Sequence, residues 1–186
     1  MSISITFHGA ARMVTGSKHL LQVNDHRVLL DCGMFQGEGE ESDRKNRHFG
    51  FAPHAIDAVV LSHAHIDHSG LLPRLVAEGF EGIILCTPAT RDLCAVMLAD
   101  SARIQESDHE RDVRHADKGE KVPPPLYTEA DVAPMMKRFV DIPYGTPYEV
   151  VPGVTVTFTD AGHILGSAVV NIVADDGERS RRILFS

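Results

Sequence analysis

The sequence has 186 residues, of which 43% are hydrophobic and 24% are charged, a composition typical of a single soluble globular domain. Its apolar runs are the length of strands, far short of the roughly 20 residues that a membrane helix needs, and its first residues do not resemble a secretion signal. The formal net charge of −8 argues against binding nucleic acid by overall charge, although a local basic groove is compatible with it. The cysteines show no Cys-x-x-Cys spacing, which indicates reduced structural thiols. We therefore expect a cytoplasmic protein without a membrane partner.

The first third of the chain predicts strands joined by turns. Strands are expected over 3–7, 18–23 and 27–30, as an antiparallel meander. The charged, glycine-containing segment 34–51 is predicted to be a loop. The continuous apolar run 56–61 predicts a strand that is buried on both faces.

The middle of the chain alternates helix and strand. A helix is predicted over 71–78, ended by Gly79, and a buried strand over 82–86. Thr87 and Pro88 have the order of an N-cap and a first helical residue, so a further helix begins there.

A charged run and a proline-rich stretch follow. The run 108–121 is interpreted as a solvated helix end or a loop. Thr128, with Asp131 three residues later, predicts the cap of another helix. Pro134 lies inside that helix and predicts a kink or a later start.

The last part of the chain returns to strands. Residues 154–159 alternate apolar and polar, and 167–174 with 179–185 predict a hairpin around the turn 175–177. The order of strands, then strand–helix–strand–helix, then strands predicts an α/β sandwich in which helices cover packed sheets.

Potential metal ligands follow the buried strand 56–61 directly, in the pattern His63-x-His65-x-Asp67-His68. A strand end holds such side chains on a rigid element, which a metal site requires. Imidazole and carboxylate donors suit zinc and, less often, iron or manganese. The spacing allows two histidines to reach one metal and the Asp-His pair to reach a second. We interpret the cluster as a metal site in preference to a loop of unrelated surface histidines.

Two more distant residues fit the same site. His163 lies between two predicted strands and is flanked by glycines, which allow a backbone to approach a ligand. A single loop histidine is more often structural, but the cluster at 63–68 favours a ligand here. Asp31 ends a strand and is either a carboxylate that orients a liganding imidazole or an ordinary turn aspartate.

The pattern His63-x-His65-x-Asp67-His68 resembles the signature of the metallo-β-lactamase superfamily. Segments 9–17, 30–37 and 161–167, which read GAARMVTGS, LDCGMFQG and AGHILGS, are similar to its β-CASP branch of nucleic-acid nucleases. That branch includes bacterial and archaeal ribonucleases and the endonuclease subunit of mRNA 3′-end processing. The resemblance implies the αββα sandwich of the superfamily and zinc-dependent cleavage of RNA phosphodiester bonds.

The resemblance also assigns roles by position. Asp67 and His68 would be catalytic, with Asp67 orienting the nucleophile, and Asp31 would orient a liganding imidazole. The implied ligands are His63, His65 and His163 for one zinc, and Asp67 and His68 for the other.

In the family a bridging aspartate follows the strand that here ends the chain. We therefore expect residues 1–186 to be the N-terminal part of a metallo-β-lactamase domain, truncated within the second half of the sandwich. The rest of that domain and the β-CASP domain would lie outside it. This fragment is expected to be inactive, to hold at most one of the two zincs, and to self-associate through exposed C-terminal strands.

Two other functions are compatible with the metal cluster. One is another hydrolase of the superfamily, acting on a thioester, a lactam or the 3′ end of tRNA, against which the segments around Asp31 and His163 argue. The other is a non-catalytic metal-binding scaffold subunit. Inactive relatives usually lose metal ligands, whereas the ligand positions of this chain are intact.

Overall fold

The computed structural model describes residues 2–37 and 39–186, which form two facing β-sheets with helices packed on the first sheet. In spatial order the first sheet contains β1 (Ile3–Phe7), β2 (His19–Val23), β3 (His26–Leu30), β4 (Ala58–Val60), β5 (Ile83–Cys86) and β6 (Phe139–Asp141). The second sheet contains β7 (Tyr148–Val151), β8 (Val154–Asp160), β9 (Ala168–Asp175) and β10 (Ser180–Phe185), in the order β10-β9-β8-β7. The helices are α1 (Glu40–Asn46), α2 (Ile66–Ser69), α3 (Leu72–Ala77), α4 (Pro88–His115) and α5 (Glu129–Met136), with a 3₁₀ turn at Pro53–Ala55.

The strand directions of the first sheet confirm the predicted meander. β1, β2 and β3 pair antiparallel, whereas β3, β4, β5 and β6 pair parallel. The carboxyl ends of β3, β4 and β5 therefore meet at one edge of the sheet. β4 is fully buried, as its continuous apolar sequence predicts, because helices cover one face and the second sheet covers the other.

The core between the sheets follows from alternation along the strands. In β8 and β9 every second side chain points inward, so that Val156, Phe158 and Ile172 pack against Leu21 and Val28 of the first sheet. The outward positions of the second sheet include Val173 and Leu184, which are 41% and 69% exposed. Within the described residues, this face carries no helical layer.

The other face of the first sheet packs against helices. Val59 and Ile84 contact a cluster that contains Leu75 of α3, Leu98 of α4 and Met135 of α5. The chain is thus layered as helices, sheet and sheet. Among the described residues, no helix is both long and apolar enough to cross a membrane.

The prediction that 34–51 is a loop was wrong, because this segment contains α1. Charge, not apolar spacing, stabilises the helix. Its acidic residues lie in the first turn and its basic residues in the last, which complements the helix dipole. Lys45 pairs with Glu41 and Arg47 with Asp43, each at 2.7 Å and four residues apart.

The remaining helix predictions agree with the structure in most respects. α4 continues to His115, so the charged run 108–121 is the end of a helix followed by a loop, with Arg111 paired to Asp108 at 2.8 Å. The predicted caps at Thr87 and Thr128 are confirmed. Because α5 starts immediately after Thr128, Pro134 does not delay it. The strands β6 and β7 were not predicted.

Candidate metal centre

The predicted site residues lie at the edge where the parallel strands of the first sheet end. Asp31 follows β3, and the segment 62–68 follows β4 and leads into α2. The backbone N–H of Asp31 donates to the carbonyl of Val60 at 3.0 Å, which ties the two strand ends together. The second sheet joins this edge, because the N–H of Ala168 donates to the carbonyl of Ser62 at 2.9 Å.

His163 reaches the site from the loop between β8 and β9. The hydroxyl of Ser167 accepts hydrogen bonds from the N–H groups of His163 and Ile164 at 3.2 and 3.1 Å, which closes the loop on itself. At the start of α4, the hydroxyls of Thr87 and Thr90 donate to the carbonyl of Gly166 at 2.7 and 2.8 Å. The loop is therefore fixed both internally and to the first turn of a long helix.

Three imidazole nitrogens converge at this point. The Nδ1 atom of His65 lies 3.1 Å from Nε2 of His63 and 3.2 Å from Nε2 of His163. Two ligand atoms on one tetrahedral zinc-sized ion stand about 3.3 Å apart, given metal–nitrogen bonds of about 2.0–2.1 Å. The spacing of these nitrogens therefore fits a single metal ion with one coordination position open. In the described part of the chain, these residues are the one group of three or more ligand atoms within 4.8 Å of each other.

Asp67 and His68 form a second pair of donors beside the first group. Nε2 of His68 lies 3.6 Å from Oδ2 of Asp67. The centroid of the His68 ring lies 4.1 Å from the centroid of the His63 ring. The two groups are thus neighbours, as two adjacent metal ions require. On their own, Asp67 and His68 supply only two ligand atoms.

Asp31 lies beneath the histidines and is fully buried. Its Oδ1 accepts a hydrogen bond from the N–H of Ser62 at 2.8 Å. Its Oδ2 accepts from the hydroxyls of Ser17 and Ser62 at 3.1 and 3.0 Å and from Nδ1 of His68 at 2.6 Å. This is not the position of an exposed turn aspartate. The backbone of Asp31 is left-handed, with φ of 59°, a conformation that aspartate tolerates better than most residues.

The hydrogen-bond pattern assigns the tautomers of two histidines. The single hydroxyl hydrogen of Ser62 is donated to Asp31, so the Ser62 oxygen accepts from Nδ1 of His63 at 3.0 Å. His68 donates its own Nδ1 hydrogen to Asp31. In the neutral form each ring therefore carries its hydrogen on Nδ1 and has an unprotonated Nε2, the form in which imidazole binds a metal.

The surroundings shift the pKa values of these two histidines in opposite directions. Burial and the neighbouring His68 lower the pKa of His63 to about 4, so its Nε2 is free at neutral pH. Burial also acts to lower the pKa of His68. The hydrogen bond that His68 donates to Asp31 and the charges of Asp31 and Asp67 outweigh burial, however, and the pKa of His68 is raised.

Three residues that support the site were not predicted from the sequence: Ser17, Lys18 and Ser62. Lys18 is completely buried and donates to the carbonyl of Gly33 at 2.7 Å. A Cβ atom on Gly33 would collide with the carbonyl of Asp67, so the loop after β3 lies directly against the histidine loop. Ser17 is the last residue of the segment 9–17, and Ser62 directly precedes the histidine pattern, but the burial of Lys18 has no signal in the sequence.

Residues 16–171 match the family model described as the metallo-beta-lactamase superfamily. The chain belongs to this superfamily. Members of the superfamily typically bind metal ions, and the three-histidine group fits such a site.

Two relatives of known name match most of this chain. The chain is 39% identical over 162 residues to ribonuclease TTHA0252 of Thermus thermophilus, covering 87% of this chain and 33% of the relative. It is 34% identical over 180 residues to transcription termination factor FttA of Methanosarcina mazei, covering 94% of this chain and 26% of the relative. The chain therefore spans between a quarter and a third of the length of these relatives.

Solved structures support the fold assignment. The chain is similar to BJP-1, a subclass B3 metallo-β-lactamase of Bradyrhizobium japonicum, with a TM-score of 0.56 and 18% identity, covering 97% of this chain and 58% of that one. It is also similar to the metallo-β-lactamase fold protein YhfI of Bacillus subtilis, with a TM-score of 0.54 and 19% identity, covering 98% of this chain and 62% of that one. These matches confirm the predicted superfamily fold.

Proposed function

We propose that the protein to which this chain belongs is a zinc-dependent ribonuclease of the β-CASP branch that hydrolyses RNA phosphodiester bonds. The observation that carries the proposal is the convergence of the His63, His65 and His163 nitrogens in a chain that is 39% identical to a protein named a ribonuclease. A termination factor among the relatives also supports action on RNA. We further infer a cytoplasmic location, which the three free, buried cysteines support.

Each residue of the site has a different role in this proposal. His63, His65 and His163 would hold one zinc, and Asp67 and His68 would contribute to the second. Bound there, two zinc ions would supply Lewis-acid stabilisation of the phosphate and lower the pKa of the attacking water. Asp67 would orient the attacking water towards phosphorus by accepting a hydrogen bond from it. Asp31 keeps His68 in the metal-binding tautomer.

The experiment compares cleavage of a labelled single-stranded RNA by the full-length protein and by its His65→Ala variant. Losing one of the convergent nitrogens should reduce cleavage by several orders of magnitude, and a chelator should do the same to the unaltered protein. The matched control is His115→Ala at the exposed end of α4, which should cleave at the normal rate.

Parallel assays on a thioester and a β-lactam test the alternatives. Preferential turnover of either one would assign the protein to another hydrolase function of the superfamily. No turnover of any substrate by protein with zinc bound would support a scaffold subunit. RNA cleavage that survives both the chelator and His65→Ala would contradict the proposal.

A further inference from the structure

A cavity of about 600 Å³ adjoins the candidate metal centre and shares His163 with it. Its volume lies within the range of about 300–1,000 Å³ that is usual for small-molecule sites. A group bound at the three histidines is therefore next to this cavity. If that group is a phosphate in an RNA strand, one of its two neighbouring nucleotides is placed at the mouth of the cavity.

The walls of the cavity are largely apolar and include an exposed aromatic ring. Tyr144 is 41% exposed, and its hydroxyl donates to the carbonyl of Ser167 at 2.9 Å, which fixes the ring. The N–H of Gly145 donates to the carbonyl of Phe158 at 2.8 Å, which fixes the backbone beside it. Leu165 also lines the cavity and is 71% exposed. Exposed apolar side chains held rigidly beside a polar centre indicate a contact surface for a ligand.

Asp160 supplies the charged group of the cavity. Its Oδ1 accepts from the N–H of Gly162 at 2.8 Å, which holds the carboxylate in place and leaves Oδ2 and the second lone pair of Oδ1 for a ligand. Burial and the charge of Asp160 both raise the pKa of Tyr144, in agreement with their closeness. A carboxylate disfavours a phosphate and accepts hydrogen bonds from N–H groups. The cavity therefore suits a flat, uncharged ring that has N–H donors on its edge.

We propose that this cavity binds the nucleobase next to the scissile phosphate, with the base stacked on Tyr144 and its N–H edge donating to Asp160. The inference rests on the proposed ribonuclease function. Single-stranded RNA is commonly bound by stacking of bases on aromatic side chains and by hydrogen bonds to their edges. Guanine fits best, because its Watson–Crick edge presents adjacent N–H donors to the carboxylate.

The test uses the full-length protein and short single-stranded RNAs with one cleavage site, in which the nucleotide on either side of the cleaved bond is guanosine, uridine or abasic. For the unaltered protein, an abasic nucleotide on one of the two sides should raise KM about tenfold or more, the usual effect of losing a stacked base. Tyr144→Leu should raise KM for the intact RNA by a similar factor, and the abasic change should then add little. Tyr144→Phe retains the ring and should keep KM within about twofold.

Two further variants separate stacking from general destabilisation, and a third tests the hydrogen bond to Asp160. Leu165→Ser should raise KM, whereas Val96→Ser on α4 should leave it unchanged, although the two side chains are similarly exposed at 71% and 70%. Asp160→Asn should reduce the preference for guanosine over uridine. Thermal unfolding shows whether each variant is folded. The abasic RNAs test the base site in the unaltered protein, so their result does not depend on any substitution.

The outcomes distinguish this inference from the function on which it rests. RNA cleavage with the same KM for abasic and intact substrates, or an unchanged KM in Tyr144→Leu, would overturn the base site and leave the ribonuclease proposal standing. No cleavage of RNA by the unaltered protein would overturn both.

Discussion

The buried carboxylate of Asp31 sets the protonation of two histidines at once. It accepts the Nδ1 hydrogen of His68 directly, and through Ser62 it causes His63 to donate its own Nδ1 hydrogen. The resemblance implied that Asp31 orients an imidazole, whereas the residues alone left an ordinary turn aspartate equally open. The sequence did not predict the role of Ser62, since the direction of a hydroxyl group leaves no pattern in a sequence.

We expect Ser62→Ala to weaken metal binding about 10–100-fold, the usual effect of removing a group that orients a liganding histidine. The change removes the acceptor for His63 Nδ1, so the His63 ring loses its fixed tautomer. Competition with a coloured chelator measures the affinity. Ser107→Ala, at an exposed position of α4, is the control. Equal affinities of the two variants would show that the Ser62 hydroxyl is dispensable.

Lys18 links ionisation to stability. Its ammonium group is fully buried, 4.1 Å from the centroid of the Phe35 ring. Burial lowers the pKa of Lys18 from 10.5 to about 8. Between these two pH values, the unfolded chain binds a proton that the folded chain does not. The stability contributed by Lys18 therefore rises with pH across this window, and its full penalty applies below about pH 8.

The prediction compares the unaltered protein with Lys18→Met. Relative to this variant, the free energy of unfolding of the unaltered protein should rise from pH 8 to pH 10, by at most about 1.4 kcal/mol per pH unit. Urea unfolding at both pH values measures the difference. Tyrosines and cysteines that titrate in the same window are present in both proteins, so their contributions to the pH dependence cancel in the difference. The control is Lys137→Met at an exposed position, for which the difference in free energy of unfolding from the unaltered protein should not change with pH. If the difference for Lys18→Met also stayed constant from pH 8 to pH 10, the pKa of Lys18 would not be lowered.

Elements with a strong period or a cap were predictable, and short ones without either were not. β8 alternates inward and outward side chains over 154–159, and Thr87 followed by Pro88 predicts the start of α4. β6 has three residues, all half-buried, so it offers no alternation to detect. α1 has no apolar stripe and depends on pairs of charges, which a hydrophobic pattern cannot reveal.

The capping box of α5 should contribute measurably to stability. Asp131 accepts hydrogen bonds from the N–H and the hydroxyl of Thr128, both at 2.8 Å. Thr128→Ala should lower the free energy of unfolding by about 1 kcal/mol. Thr146→Ala, in an exposed loop, should change it much less, as measured by urea unfolding. If the two variants unfolded at the same midpoint, the cap would have no net effect.

The whole site could be predicted only in part, because it is assembled from distant segments. The spacing within 63–68 predicted candidate ligands, and the glycine-flanked loop position of His163 added another, 98 residues from His65 in the chain. The cavity at Tyr144 and the burial of Lys18 depend on how loops from both sheets pack together. Contacts between distant segments cannot be predicted from the sequence of either segment alone.

The donor set predicts the metal content of residues 1–186 as a separate chain. Three imidazole nitrogens within 4.8 Å of each other can hold one zinc with a water ligand, whereas Asp67 and His68 supply only two donors. Elemental analysis after dialysis should give at most about one zinc per chain, and His163→Ala should reduce that content. Two zincs retained after dialysis would contradict the prediction.

The outer face of the second sheet predicts self-association of the same chain. Val173 and Leu184 are exposed there, and β10 is an edge strand. Exposed apolar faces and open edges favour contact between copies. Light scattering should show a mass that increases with concentration, and Leu184→Lys should reduce the increase. A chain that remains monomeric at high concentration would count against this surface as a contact.

The position of His163 would make a bound metal part of the architecture as well as of the chemistry. His63 and His65 belong to the end of one sheet, and His163 belongs to a loop of the other. An ion held by all three would join the two sheets at this edge. Because such an ion would bind only when these segments have come together, its binding free energy would be lost if the two layers separated. The fold positions the histidines, and a bound ion would in turn stabilise the packing of the two layers.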